Sequence, residues 1–181
     1  MGLNAQPSSE RVHIGFFGLR NAGKSSVVNR VTGQTLSIVS DVKGTTTDPV
    51  QKAMELLPIG PVVIIDTPGI DDEGELGLKR VGKTRQVLNK ADLAVLVVDA
   101  VEGISSWEEE MIRLFEKKEI PYLVVYNKMD LLTGKSEQES AVKHTAYVSA
   151  RTREGIQQLK EQMARLMSQE TDEKRLAADL V

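Results

Sequence analysis

Cysteine is absent from the 181 residues, and its absence excludes disulfides, zinc–thiolate sites and iron–sulfur ligation by this chain alone. Histidine is nearly absent too: His13 and His144 are the only imidazoles, each in or beside an apparent strand, where a structural role is expected over metal ligation. There is no surplus of positive charge. The 23 Lys and Arg against 26 Asp and Glu give a net charge of −3, so electrostatics offer no reason to expect nucleic-acid binding. Lys79, Arg80, Lys83, Arg85 and Lys90 do cluster, but on one helix-like stretch they read as a solvated face. Long apolar runs are missing, with none near the roughly 20 residues of a membrane span. The opening MGLNAQPSSER has no apolar segment of a signal peptide, so a cytoplasmic location without membrane contact is expected.

What is present describes a globular chain, 40% hydrophobic and 27% charged, of a length suited to one well-cored domain. Apolar or β-branched runs at Val12 to Phe17, Val62 to Ile65, Leu93 to Val98, Tyr122 to Tyr126 and Thr145 to Val148 are short and nearly continuous, as strands buried on both faces are. Gln51 to Leu57 adds a candidate antiparallel edge strand before Pro58. Helical patterns lie between them. Ser106 with Glu109 reads as a capping box, followed by Trp107, Met111, Leu114 and Phe115 on one face, which makes the lone Trp107 a core anchor. Ile156, Leu159, Met163, Leu166 and Met167 align a last helix, whose charged end from Thr171 to Arg175 is expected to fray. The fold class that follows is α/β: an open, doubly wound, mostly parallel sheet with one antiparallel edge strand and helices on both faces, binding ligands at the carboxyl ends of its strands.

Directly after the first strand, Gly18 to Ser25 reads GLRNAGKS, the phosphate-binding loop of a P-loop NTPase. Gly18, Asn21, Ala22, Gly23, Lys24, Ser25 and Ser26 form a cradle in which backbone N–H groups and the following helix N-terminus converge on a polyphosphate. Lys24 reaches the β- and γ-phosphates, and the Ser25 hydroxyl ligates Mg²⁺. The strand Val62 to Ile65 delivers Asp66 to its end as a second Mg²⁺ ligand, ahead of Thr67-Pro68-Gly69, where the Gly69 N–H can meet a γ-phosphate. Asn127-Lys128-Met129-Asp130 then decides the base. A carboxylate accepts two parallel hydrogen bonds from guanine N1 and N2, which adenine does not offer, so Asp130 selects GTP and GDP. Asn127 either bonds N7 or ties neighbouring loops together, the Lys128 stem covers a base face, and Ser149-Ala150 offers a backbone N–H to O6. Between loop and Asp66, the segment Asp41 to Pro49 reads either as a switch, with a Thr hydroxyl on Mg²⁺, or as a β-branched edge strand.

In this order GLRNAGKSS, GTTTD, DTPG, NKMD and SA resemble the bacterial translation-factor-like GTPases, the group of Era, Der and MnmE, from about Val12 to Met167. The stretch SDVKGTTTDPVQKAMELLPIGPVVIIDTPGIDD is more specifically similar to the HydF GTPases, which mature FeFe-hydrogenase. That resemblance implies a division into a flexible N-terminus (1–11), a G domain (12–170) and a tail (171–181) leading to further domains. Those would carry dimerisation and an iron–sulfur cluster that this chain does not hold. Implied partners are a second copy in the full-length protein, hydrogenase and its other maturation proteins, with no nucleic acid. Thr46 matches the Mg²⁺-binding switch threonine, while Thr47 stands where Era and MnmE relatives usually carry arginine. Ile70 replaces the water-orienting glutamine of Ras-like proteins. Asp72 matches an acidic residue that positions the attacking water, with Asp71, Glu73 and Glu75 as adjacent alternatives and a solvated acidic turn as the plainer reading. Asn21 matches the asparagine of K⁺-activated relatives, where a cation substitutes for an arginine finger, unless it only braces the loop by hydrogen bonds to its own backbone. With Arg20 the nearest arginine, intrinsic hydrolysis should be slow. The alternatives are a ribosome-assembly or tRNA-modification GTPase of the Era, Der and MnmE type, or a non-enzymatic GTP-gated interaction module.

Overall fold

Strands whose every residue is apolar need cover on both faces, and the chain supplies it. The computed structural model describes residues 11–34, 50–67, 84–132 and 144–180. Six strands form one sheet in the order β2-β3-β1-β4-β5-β6: β1 (Val12–Gly18), β2 (Val50–Leu56), β3 (Gly60–Asp66), β4 (Leu93–Asp99), β5 (Tyr122–Asn127) and β6 (Thr145–Tyr147). All pairs are parallel except β2 with β3, whose antiparallel register runs from Val50 opposite Asp66 to Leu56 opposite Gly60. The expected edge strand is therefore present, one residue earlier than the sequence suggests.

Successive side chains alternate between two cores, as the period of two in a strand requires. Ile14, Phe16, Val62, Ile64, Leu93, Val95 and Val97 face one, together with Val27, Val28 and Val31 of α1 (Lys24–Thr32) and Leu159 and Met163 of α4 (Ile156–Asp179). Phe17, Val63, Ile65, Leu96 and Val98 face the other, under Val87 and Leu88 of α2 (84–90) and Met111 and Phe115 of α3 (Ser106–Lys117). Each such fully buried aliphatic side chain contributes about 1.5–3 kcal/mol over an exposed one. Helices thus cover both sheet faces, as the doubly wound pattern predicts. Phe17 and Phe115 join the second layer ring to ring at 5.4 Å, and Trp107 packs half-buried against it as the anchor expected from its spacing.

Local differences have local causes. The capping box of α3 is Ser105 with Glu108, one residue before the pair predicted from sequence. Ser105 holds the extended backbone (φ −95°, ψ 176°) that a flanking residue needs, and its N–H donates to the Glu108 carboxylate at 2.9 Å. Helix α4 runs through the charged end expected to fray, as far as Asp179. Glu170 and Lys174 pair at 2.9 Å one turn apart, the Thr171 hydroxyl donates back to the Met167 carbonyl, and the sequence there is rich in helix formers. Arg11, counted with the N-terminal segment in the sequence, is already buried, its guanidinium donating to the Met54 carbonyl at 3.3 Å. His13 serves the sheet: its Nδ1 lies 2.9 Å from the Arg11 carbonyl and its backbone N–H donates to Asp92. Of the Lys/Arg cluster, Arg85 and Lys90 lie within the described residues and both are exposed. Among the described residues no helix is long and apolar enough to cross a membrane.

Gly155 at the start of α4 has φ +79°, and a Cβ there would collide with the Tyr147 carbonyl oxygen. Gly155→Ala is expected to lower stability by about 3 kcal/mol, since both the left-handed backbone and the close approach require glycine. A urea titration would read this as a lower midpoint at unchanged slope. A midpoint equal to wild type would show that the turn relaxes freely.

Candidate nucleotide site

The parallel registers bring four strand ends to one edge: Gly18 of β1, Asp66 of β3, Asp99 of β4 and Asn127 of β5. In a doubly wound sheet this carboxyl edge is where ligands bind. Gly18 is glycine for its neighbour's sake, since a Cβ would stand 2.8 Å from the Val97 carbonyl. A 3₁₀ turn (Arg20–Ala22) follows, then Gly23 at φ +76°, then α1. A Cβ on Gly23 would come within 2.6 Å of Asn127 Nδ2, so glycine here admits both the backbone turn and the Asn127 amide. No side chain caps the first turn of α1, which leaves the N–H groups of Lys24, Ser25 and Ser26 to the loop's concave side.

Lys24 is 4% exposed. Its ammonium lies 2.9 Å from Asp66 Oδ1 and 3.5 Å from the Thr67 hydroxyl, which itself donates to the Phe16 carbonyl at 2.7 Å. Burial pushes the Lys24 ammonium below its ordinary pKa, and the Asp66 carboxylate pulls it back in part. The motif reading of the sequence does not single out Thr67; its role follows from its packing under β1. The donor set suits a triphosphate with Mg²⁺: an ammonium and uncapped amides for phosphate oxygens, and the hard oxygens of Ser25 and Asp66 for the cation. When bound, Mg²⁺ neutralises charge on the β- and γ-phosphates. Thr46, Gly69 and Asp72, and with them the switch or strand reading of residues 41–49, lie outside the described residues.

Beside the loop opens a cleft of about 820 Å³, lined from Gly23 and Ser26 past Asn127 and Asp130 to Ser149 and Ala150. Asn127 ties neighbouring loops together. Its Nδ2 donates to the Ala22 carbonyl at 2.9 Å and its Oδ1 accepts the Ala150 N–H at 3.0 Å. Lys128, at φ +70°, stretches its ammonium to the Asn21 carbonyl (2.7 Å) and to Asp99 (2.8 Å). Its stem is thereby pinned between the phosphate loop and β4, as a cover for one face of the base requires. Burial acts to raise the Asp99 carboxyl, but hydrogen bonds from Lys128 and from the Val101 and Glu102 amides outweigh it and hold Asp99 below the usual carboxylate range. Asp130 is exposed to the cleft, with Oδ1 accepting the hydroxyl of the fully buried Ser149 at 2.8 Å.

Two of the expected site groups meet local partners. The Ser149 amide donates to the Glu154 carbonyl (2.9 Å), closing the 149–154 loop on itself, and the Ala150 amide donates to Asn127 Oδ1 (3.0 Å). And the Asn21 side chain donates to Glu102 at 2.8 Å, so it braces the loop through the β4–α3 turn and not through its own backbone. Asp99 and Glu102 hold Lys128 and Asn21 in place, contacts that motif spacing does not reveal. An acid at the end of a fully buried strand on the ligand-binding edge is the signal for Asp99.

Residues 13–128 match the family model described as "50S ribosome-binding GTPase". GTPase Der of Nitratidesulfovibrio vulgaris is 39% identical over 126 residues, covering 67% of this chain and 26% of Der. The tRNA modification GTPase MnmE of Carboxydothermus hydrogenoformans is 37% identical over 161 residues, covering 86% of this chain and 34% of MnmE. The chain therefore spans between a quarter and roughly a third of these curated relatives. Among solved structures, Era in complex with MgGDPNP and nucleotides 1506–1542 of 16S ribosomal RNA superposes with a TM-score of 0.70 at 26% identity, over 86% of this chain and 56% of Era. With the P-loop, the buried Lys24–Asp66 pair and the Asp130 cleft on one sheet edge, the chain belongs to the 50S ribosome-binding GTPase family.

Proposed function

We propose that this chain is the GTP-binding and GTP-hydrolysing switch domain of a larger protein, selective for guanine through Asp130 and dependent on Mg²⁺ held by Ser25, Asp66 and Thr46. What carries this reading is the single sheet edge on which a buried lysine at an uncapped helix start stands beside a cleft lined by an oriented carboxylate. Phosphoryl transfer needs positioning and charge stabilisation more than covalent chemistry. Lys24 and the loop amides supply the second, Gly69 the γ-phosphate contact, and Asp72 or a neighbouring acid the orientation of water.

The Der and MnmE relatives support a ribosome-assembly or tRNA-modification client over hydrogenase maturation, which rests on the resemblance of the segment from Ser40 to Asp72. The Era complex also weakens the expectation that no nucleic acid is bound, although the net charge of −3 still offers no attraction. A dimeric full-length protein and hydrogenase partners stand or fall with the maturation reading. Deleting the gene separates the clients: lost hydrogenase activity with normal ribosomes and tRNA supports maturation, and the converse supports the Der and MnmE reading.

Single-turnover hydrolysis tests the enzyme reading against a non-enzymatic gate. GTP is expected to turn over slowly with Mg²⁺ and to stop with excess EDTA. Asn21 adds a cation dependence: with its amide nitrogen on Glu102, its amide oxygen is the ligand for K⁺ beside the phosphates. Hydrolysis should run at least about tenfold faster in KCl than in NaCl at equal ionic strength. Equal rates in the two salts remove the K⁺ site, and no hydrolysis in either leaves the GTP-gated interaction module.

A further inference from the structure

The phosphate loop is gripped from outside, and the grip converges on one carboxylate at the end of β4. Asp99 is 8% exposed, and both of its side-chain oxygens are in use. Oδ1 accepts the Val101 N–H at 2.8 Å and the Glu102 N–H at 3.2 Å, folding the turn that leads from β4 toward α3. The Asp99 carbonyl closes that turn by accepting the Gly103 N–H at 2.8 Å. Oδ2 accepts the Lys128 ammonium at 2.8 Å. Both arms end on Asn21, in the 3₁₀ turn of the phosphate loop. Lys128 Nζ donates to the Asn21 carbonyl at 2.7 Å, and Glu102, carried by the turn, accepts the Asn21 side-chain amide at 2.8 Å. Asn21 itself is exposed, so hydrogen bonds and not packing fix its place. Lys128 holds φ +70°, a left-handed backbone that lysine rarely adopts, so its pairing with Asp99 and not local chain preference sets where the ammonium lies.

We propose that Asp99 is a positioning residue for the phosphate loop: it holds the Lys128 ammonium on the Asn21 carbonyl, presents Glu102 to the Asn21 side chain, and by fixing Asn21 from two sides slows nucleotide release. The proposal rests on the nucleotide-site reading above and adds to it a residue outside both the loop and the base-reading carboxylate. A cradle of backbone N–H groups suits a phosphate only while the loop keeps its curvature. A loop ordered in advance binds more tightly, because less freedom is lost when the ligand arrives. The lysine arm is the stronger of the two, a charge-assisted pair whose side chains are 34% and 10% exposed, whereas the bond from Asn21 to Glu102 lies in the open.

The test follows the release of a fluorescent GDP chased with excess unlabelled GDP. Asp99→Asn is close to isosteric: its amide oxygen still accepts the Val101 and Glu102 amides, while its NH₂ takes the place of the acceptor for Lys128. Release should quicken about tenfold in Asp99→Asn, and about two- to threefold in Glu102→Ala. In a Lys128→Met background, where the first arm is already cut, Asp99→Asn should change release by less than about twofold. A residue that only supports the fold would quicken release by the same factor in both backgrounds, and that result overturns the inference. Release at the wild-type rate in Asp99→Asn overturns it as well, and in either case the nucleotide site stands. If Asp99→Asn melts below the assay temperature, Asp99→Ser, whose hydroxyl can accept the same turn amides and lacks the charge, takes its place. A wild type that fails to bind GDP overturns the nucleotide-site reading and this inference with it.

Discussion

Asp130→Asn is expected to weaken GTP binding by roughly 10²–10³-fold and to bring xanthosine triphosphate to equal or better affinity. The direction follows from Ser149. Its buried hydroxyl donates to Asp130 Oδ1, so an asparagine side chain will keep its carbonyl oxygen on Ser149 and present its NH₂ to the base. That NH₂ confronts the N1 and N2 donors of guanine, and suits the C2 carbonyl of xanthine. Ser149→Ala in the same background removes the reason for one amide orientation and should narrow the xanthine preference. Titrating both nucleotides against the wild type, the single variant and the double variant checks this. A persistent GTP preference in Asp130→Asn would remove Asp130 from the base site.

Lys24→Met is expected to cut single-turnover GTP hydrolysis by at least about 10²–10³-fold, the cost of losing one preorganised donor on a developing negative charge. Methionine fills the stem's volume, so the loss reports the ammonium. A second effect accompanies it: Asp66, 8% exposed, loses the cation 2.9 Å away, and breaking one side of a buried ion pair destabilises by about 3–5 kcal/mol. The pairing of effects is diagnostic. Melting without nucleotide should show the stability loss, and a thermally intact variant hydrolysing within tenfold of wild type would take Lys24 out of the reaction.

Glycine-rich loop, Asp66 and NKMD could be named from the sequence because each is a contiguous run whose chemistry depends on neighbours in the chain. The strands could be named because burial on both faces leaves no polar positions: Leu93 to Val98 are all at or near zero exposure. Boundaries were less legible. Ser105 and Ser106 are chemically alike, and only the extended backbone at Ser105 makes it the cap. Nor does composition alone distinguish a fraying charged end from the continuous helix to Asp179, which depends on which acids and bases fall one turn apart.

The phosphate loop, the Asp130 carboxylate and the doubly wound sheet follow from the chain's own order of residues, since these depend on local spacing and on strand-length apolar patterns. Tertiary structure alone decided which groups hold those motifs in place. Lys128 finds Asp99 across 29 residues, Asn21 finds Glu102 across 81, and Arg30 finds Ala150 across 120. Such bonds are set by strand order and register, which carry β1, β4 and β5 side by side although the chain visits them far apart. No periodicity in a sequence encodes which carbonyl will lie within hydrogen-bond reach of a given guanidinium. That is why the donors and acceptors of the site were readable, while the assignment of the Ala150 amide to Asn127 required the packed fold.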